Sequence, residues 1–205
     1  MTQPDTPFVD LRFTLQGRAV PRDYADSLWD ALRLRLPWLE NETLAGIHPL
    51  YGLSPGSDEW YLSRRSHLDF RIPVERVVET SMLVGEVLDV AGASCTVGKA
   101  TEKPLAYAPV LYAKFVAFDG SADVLPAEEA FLAECRSALN RLDLAPTAML
   151  CGKRQAARVA TSCLHGFSLM VAGLGTDDNY RLQKHGLGIG RKSGCGIFVP
   201  YKSAM

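Results

Sequence analysis

From Phe8 to Gln16 the chain alternates apolar and polar residues, with Val9, Leu11, Phe13 and Leu15 set against Asp10, Arg12, Thr14 and Gln16. A two-residue period of this length predicts a strand with one face in a core. Gly17 ends it, and Pro21 is placed to open a helix, because proline suits the first helical turn. Tyr24, Leu28, Ala31, Leu32 and Leu36 then recur at helical spacing as far as Pro37. A short apolar run over residues 43–51 carries His48. Strands are expected at residues 59–62 and 67–72, on either side of the basic turn Arg64-Arg65-Ser66. Pro73 starts a second predicted helix through Val77, Val78 and Met82 that stops at Gly85, and residues 86–90 and 94–97 read as further strand.

The second half repeats this order. Residues 106–118 predict a strand, and Pro126 opens a helix through Ala130, Phe131, Glu134, Cys135 and Leu139. Strands follow near residues 148–151 and 164–172. Thr176 is expected to N-cap a helix reaching Gln183, with Asp177 and Asp178 favourably placed in its first turn. A glycine-rich loop then leads to a last strand at residues 197–201. Two tandem β-α-β-β-α-β units predict an α+β protein made of two ferredoxin-like (RRM-like) domains, residues 1–100 and 101–205, joined near residues 99–104. No repeat of residue identity relates the halves.

Composition places few limits on this picture. Hydrophobic residues make up 47% of the 205 and charged residues 22%, as in an ordinary globular protein. No apolar run is long enough to span a bilayer, and residues 1–7 carry no signal-peptide pattern, so a cytoplasmic location is expected. The five cysteines are odd in number and never spaced C-x-x-C, which points to packing rather than disulfides or a zinc site.

Charge changes the picture more. The net value of −1 argues against a nucleic-acid binder, but its distribution argues the other way. From Cys151 onward eight basic residues face only Asp177 and Asp178, so this stretch carries +6 and the remainder −7. Such asymmetry predicts a cationic face for an anionic partner.

The glycine-rich stretch Gly186-Leu187-Gly188-Ile189-Gly190-Arg191-Lys192-Ser193-Gly194-Cys195-Gly196 lies within that segment. A P-loop is excluded because Arg191 stands where glycine must precede the Lys-Ser pair. A dinucleotide fingerprint is excluded because no acidic residue follows about 20 positions later. What remains is a loop whose backbone N–H groups can approach an anion, with Arg191 and Lys192 as charged donors. The alternative is a plain glycine-rich turn into an edge strand.

The run from Leu182 to Pro200 resembles the C-terminal glycine-rich signature of the CRISPR repeat-RNA endonucleases, within the repeat-associated (RAMP) superfamily. Gly194 to Pro200 matches the subgroup pattern GCG-x-F-x-P. Ile47-His48-Pro49-Leu50 and Leu68-Asp69-Phe70-Arg71-Ile72-Pro73 are further echoes. Ile189-Gly190 departs from the Gly-Arg-Arg of related loops, which removes one arginine. The resemblance implies a role in antiviral defence, with hairpin CRISPR repeat RNA as substrate, one cut per repeat, and persistence as a subunit of an effector complex. It implies no membrane and no direct contact with DNA.

RNA carries its own nucleophile, so a 2′-hydroxyl attack needs only a base, an acid and a fixed cation; no metal or cofactor is expected. His48 stands where the resembling family often carries its catalytic histidine, and Tyr51 is close enough in sequence to donate a hydrogen bond. The competing role for His48 is a strand-end histidine bonded to backbone. His185, beside the loop, is the second candidate, as general acid; its competing role is stabilising a helix C-terminus. His67 and His165 lie in strand-like runs and are expected to pack. Expected RNA contacts are Lys184, Gly186, Gly188, Gly190, Arg191, Lys192, Ser193 and Gly194, with Arg64 and Arg65 on their turn. A non-catalytic RNA-binding subunit of the same superfamily is the alternative function.

Overall fold

The structure is a computed structural model in which residues 6–52, 58–118, 127–159 and 162–201 are described. Pro126, expected to open a helix, lies outside them. The chain divides into two compact units, Met1–Pro104 and Leu105–Met205.

The first unit contains β1 (Phe8–Gln16), β2 (Ala19–Pro21), α1 (Ala25–Arg33), a 3-10 turn at Pro37–Glu40, β3 (Gly46–Ile47), β4 (Glu59–Tyr61) and β5 (His67–Pro73). A 3-10 turn, Val74–Arg76, runs into α2 (Val77–Ser81), followed by β6 (Val87–Val90) and β7 (Ala93–Pro104). The main sheet is antiparallel, in the order β3-β5-β1-β7-β6. Its β3-β5-β1-β7 part is the strand order of a ferredoxin-like unit, with β6 added at one edge. Period two fixes the register of β1. Val9, Leu11 and Phe13 face Ile72, Phe70 and Leu68 in one apolar layer, all of them buried. Leu28, Ala31 and Leu32 of α1 complete that core.

Several expectations need correction. Pro21 lies in β2, which pairs with β4 as a separate two-stranded ribbon, and α1 begins only at Ala25. The second helix is one 3-10 turn and five α residues. Val77 packs on the core, but Val78 and Met82 are 81% and 76% exposed, so its apolar spacing does not mark a buried face. At the β6 edge, Arg35 donates from Nη2 to the Val87 carbonyl (2.9 Å) and from Nε to Glu86 (3.1 Å).

The second unit contains β8 (Val110–Val116), α3 (Glu128–Asn140), β9 (Ala148–Val159), β10 (Ser162–Ala172), α4 (Thr176–His185), a 3-10 turn at Arg191–Ser193 and β11 (Phe198–Pro200). Its order, β11-β8-β10-β9, is again ferredoxin-like. Phe131, Cys135 and Leu139 of α3 and Leu182 of α4 pack on Leu111, Phe167, Leu169, Val171 and Phe198. Here β9 runs eight residues beyond its expected end, into a long hairpin with β10. The N-cap of α4 is Gly175, so Thr176 is its first residue, while Asp177 and Asp178 do occupy the first turn. Among the described residues no helix is long and apolar enough to cross a membrane.

Candidate active site and the glycine-rich turn

Because Val9, Leu11 and Phe13 face the core, Asp10 and Arg12 must project from the other face of the same sheet. The same holds for Asp69 and Arg71 around Phe70. Both strands read Asp-x-Arg, and antiparallel pairing sets each aspartate opposite the other strand's arginine. The result is two ion-pair rows. Arg71 donates to Asp10 through Nε (2.8 Å) and Nη2 (2.9 Å), and Arg12 donates to Asp69 through Nε at 2.9 and 3.0 Å to its two oxygens. Arg71 is 0% exposed.

His48 follows β3 directly. Ile47 pairs with Phe70 and enters the core, so the next side chain falls on the ion-pair face. The His48 backbone N–H donates to the Asp69 carbonyl (2.8 Å), and its Nε2 lies 3.0 Å from Asp10 Oδ1. The ring is 8% exposed, and its Nδ1 makes no hydrogen bond to a described residue. Burial alone would push the Asp10 carboxyl upward, but the charges of Arg71 and His48, with their hydrogen bonds, outweigh it and hold the group well below the usual carboxylate range. Arg12 is raised, first by its hydrogen bonds to Asp69, with smaller contributions from Asp10 and Tyr51. Tyr51 is 57% exposed and belongs to the same electrostatic neighbourhood. His67 faces Thr14 in the next row, and burial, followed by the charge of Arg12, lowers its pKa.

The sequence reading selected His48 and Tyr51 but missed Asp10, Arg12, Asp69 and Arg71. Arg64 and Arg65 are exposed on a tight turn closed by Ser66 N–H donating to the Ser63 carbonyl (2.9 Å), and Ser63 Oγ accepts from the Arg65 N–H (3.1 Å).

In the second unit the glycine-rich stretch folds onto the end of β8. Ile189 N–H donates to the Ala117 carbonyl (2.9 Å), Gly196 N–H to Phe115 (2.8 Å) and Leu187 N–H to Gly196 (3.2 Å). Cys195 and Ile189 pack with Phe115, Ala117, Ala157 and Leu164 in a small apolar cluster below the turn. Burial pushes the Cys195 thiol up to about 12, as suits a packing residue. Gly186, Gly188, Gly190 and Gly194 all have positive φ. At Gly188 the approach is so close that a Cβ would fall 2.1 Å from the Ala117 carbonyl oxygen.

The cations here divide. Arg191 points inward, and its Nη2 donates to the Lys184 carbonyl (3.0 Å) in the last turn of α4. Lys184 itself is only 7% exposed. Both were expected to meet phosphate, but the last carbonyls of a helix need donors, and Arg191 supplies one. Lys192 and Ser193 are half-buried, Gly188 is exposed, and Gly186 and Gly194 are buried. His185 is the last residue of α4. Lys153, Arg154 and Arg158 line β9, and burial, followed by the charge of Lys153, lowers the pKa of Lys114 in β8.

Residues 9–203 match the family described as Cas6 Crispr. The chain belongs to the Cas6 family. A CRISPR-associated endonuclease Cas6 from Myxococcus xanthus (strain DK1622) is 35% identical over 193 residues, spanning 94% of this chain and 81% of that relative. A solved CRISPR associated protein Cas6 superposes with a TM-score of 0.67 at 12% identity, covering 95% of this chain and all of the other. Thermus thermophilus Cse3, bound to an RNA representing a pre-cleavage complex, gives 0.54 at 12% identity over 94% of this chain and 98% of its own. These structural likenesses, at low identity, establish the ferredoxin-like Cas6 fold.

Proposed function

We propose that the protein is a metal-independent endoribonuclease that binds hairpin repeats in CRISPR precursor transcripts and cuts once in each. Cas6 membership and the endonuclease relative support RNA cleavage. The observation that carries the mechanism is the buried imidazole of His48, bonded through one nitrogen to a carboxylate and leaving the other without a bonded neighbour among the described residues.

In this reading the 2′-hydroxyl attacks the adjacent phosphorus as His48 takes its proton. The 5′-oxygen leaves with a proton supplied by a general acid, for which Tyr51 in the same unit is the candidate, and the products are a 2′,3′-cyclic phosphate and a 5′-hydroxyl. Acid-base help of this kind contributes about 10²–10⁴-fold. The exposed Arg64 and Arg65, with Gly186, Gly188, Gly190, Lys192, Ser193 and Gly194 of the turn, engage the ribose-phosphate backbone. RNA duplexes are held mainly through shape and phosphates, so affinity falls with salt. Arg191 and Lys184 shape the turn from within. The enzyme stays on its product as one subunit of an effector complex in the cytoplasm.

The test is purified protein with a hairpin repeat RNA in EDTA. Cleavage to a cyclic phosphate, lost in His48→Ala while hairpin affinity stays within a few-fold, is the expected result. Binding without cleavage by the parent protein would identify a non-catalytic RNA-binding subunit. Cutting by the variant at the parental rate would mean that another residue is the base.

A further inference from the structure

The histidine ring has two distinct nitrogens, and which one carries hydrogen decides which can accept a proton. Asp10 Oδ1 sits 3.0 Å from His48 Nε2 and also accepts from Arg71 Nε at 2.8 Å. A carboxylate only accepts hydrogen bonds, so Nε2 must be the protonated nitrogen and Nδ1 the basic one. Arg71, wholly buried, keeps Asp10 ionised and grips it with a planar fork.

The rest of the lattice fixes the remaining freedom. The His48 main chain is tied to Asp69, and Asp69 is held by Arg12. Stability alone does not require these rows, because the apolar layer of β1 and β5 already sets their register. Buried ion pairs are also often replaceable by apolar residues without loss.

We propose that Asp10, clamped by Arg71, is a positioning residue that fixes the tautomer and direction of the His48 imidazole for proton abstraction through Nδ1. This rests on the reading of His48 as the base. Among the described residues, the charged groups of the lattice around that ring are Asp10 and Arg12 of β1 and Asp69 and Arg71 of β5, and the titratable phenol of Tyr51 follows β3.

The experiment compares the parent, Asp10→Asn, Asp10→Glu and His48→Ala, each checked for folding by circular dichroism and for hairpin affinity. Single-turnover cleavage is followed across pH, and ring-nitrogen NMR reports the His48 tautomer in the parent and in Asp10→Asn. In the parent the Nε2–H form should dominate. In Asp10→Asn it should become a mixture, with cleavage slowed by about 10²-fold, the low end of what a positioned acid-base group contributes. Hairpin affinity should stay within a few-fold. Asp10→Glu should recover part of the rate.

A folded Asp10→Asn protein with the parental tautomer and the parental rate across pH would overturn the proposal, as would a loss of stability alone. His48→Ala reports separately on the underlying reading: if it still cuts, that reading fails whatever Asp10→Asn does. The NMR signature does not depend on catalysis, so the two failures stay distinct.

Discussion

Replacing Gly188 with alanine tests whether the glycines hold the turn to the sheet. Its φ is +76°, where an L side chain is strained by about 1–2 kcal/mol. The added Cβ would lie 2.1 Å from the Ala117 carbonyl oxygen. Favourable carbon–oxygen contacts lie at about 3.3–3.6 Å, so the turn must lift by about 1 Å. The hydrogen bond from Ile189 N–H to that same oxygen, now 2.9 Å, cannot survive this shift, at a cost of about 1 kcal/mol.

The expected destabilisation is roughly 2–3 kcal/mol, before any loss from the cluster around Cys195. For a unit of about 100 residues that lowers the melting temperature by roughly 10–20 °C. Gly85→Ala is the internal control. It shares a left-handed backbone, φ +92°, but nothing lies within 4 Å of its added Cβ, so only the strain remains. Thermal unfolding of both variants, with hairpin binding measured alongside, gives the comparison. If Gly188→Ala costs no more than Gly85→Ala, the close approach is not what holds the turn.

Three further outcomes follow from the charged side chains. The Asp10 pKa is held low in the folded protein, so its pair with Arg71 contributes fully above about pH 5 and is lost as pH falls below the ordinary carboxylate value near 4. Urea midpoints measured from pH 6 downward should therefore drop more steeply in the parent than in Asp10→Asn; equal slopes would contradict the assignment. Arg191→Ala should cost about 1.5–3 kcal/mol, the range for a hydrogen bond from a charged group, because α4 loses its inward donor. Lys192→Ala should leave stability within about 0.5 kcal/mol yet make the salt dependence of hairpin binding shallower by about one unit. Equal effects of these two substitutions on stability would show that Arg191 has no special structural role.

The alternation of Val9, Leu11, Phe13 and Leu15 was enough to place β1 and its buried face, and the order of strands and helices was enough for two ferredoxin-like units. Pro21 misled because an edge ribbon accommodates proline as readily as a first helical turn does. Val78 and Met82 misled because helical spacing says which residues share a side, not whether anything covers it. At the candidate site, the family resemblance singles out His48 but not the charged residues that the structure sets around it. The signal was present as two Asp-x-Arg strands, Asp10-Leu11-Arg12 and Asp69-Phe70-Arg71. Their complementarity emerges only once the strands run antiparallel in this register, and until then four charges alternating with core residues look like ordinary surface. The inward turn of Arg191 was hidden for a similar reason, since its acceptor is a main-chain oxygen seven residues earlier that no side-chain pattern announces.

The guanidinium of Arg35, just past the end of α1, has a consequence beyond its own segment. A border strand with idle main-chain oxygens invites a stranger's strand to zip alongside, the first step toward fibres. By occupying the Val87 oxygen from the segment just after α1, Arg35 denies that foothold at a border whose Val87 side chain is half exposed. Arg35→Ala should thus reveal itself less in folding than in the concentration at which the protein begins to scatter light.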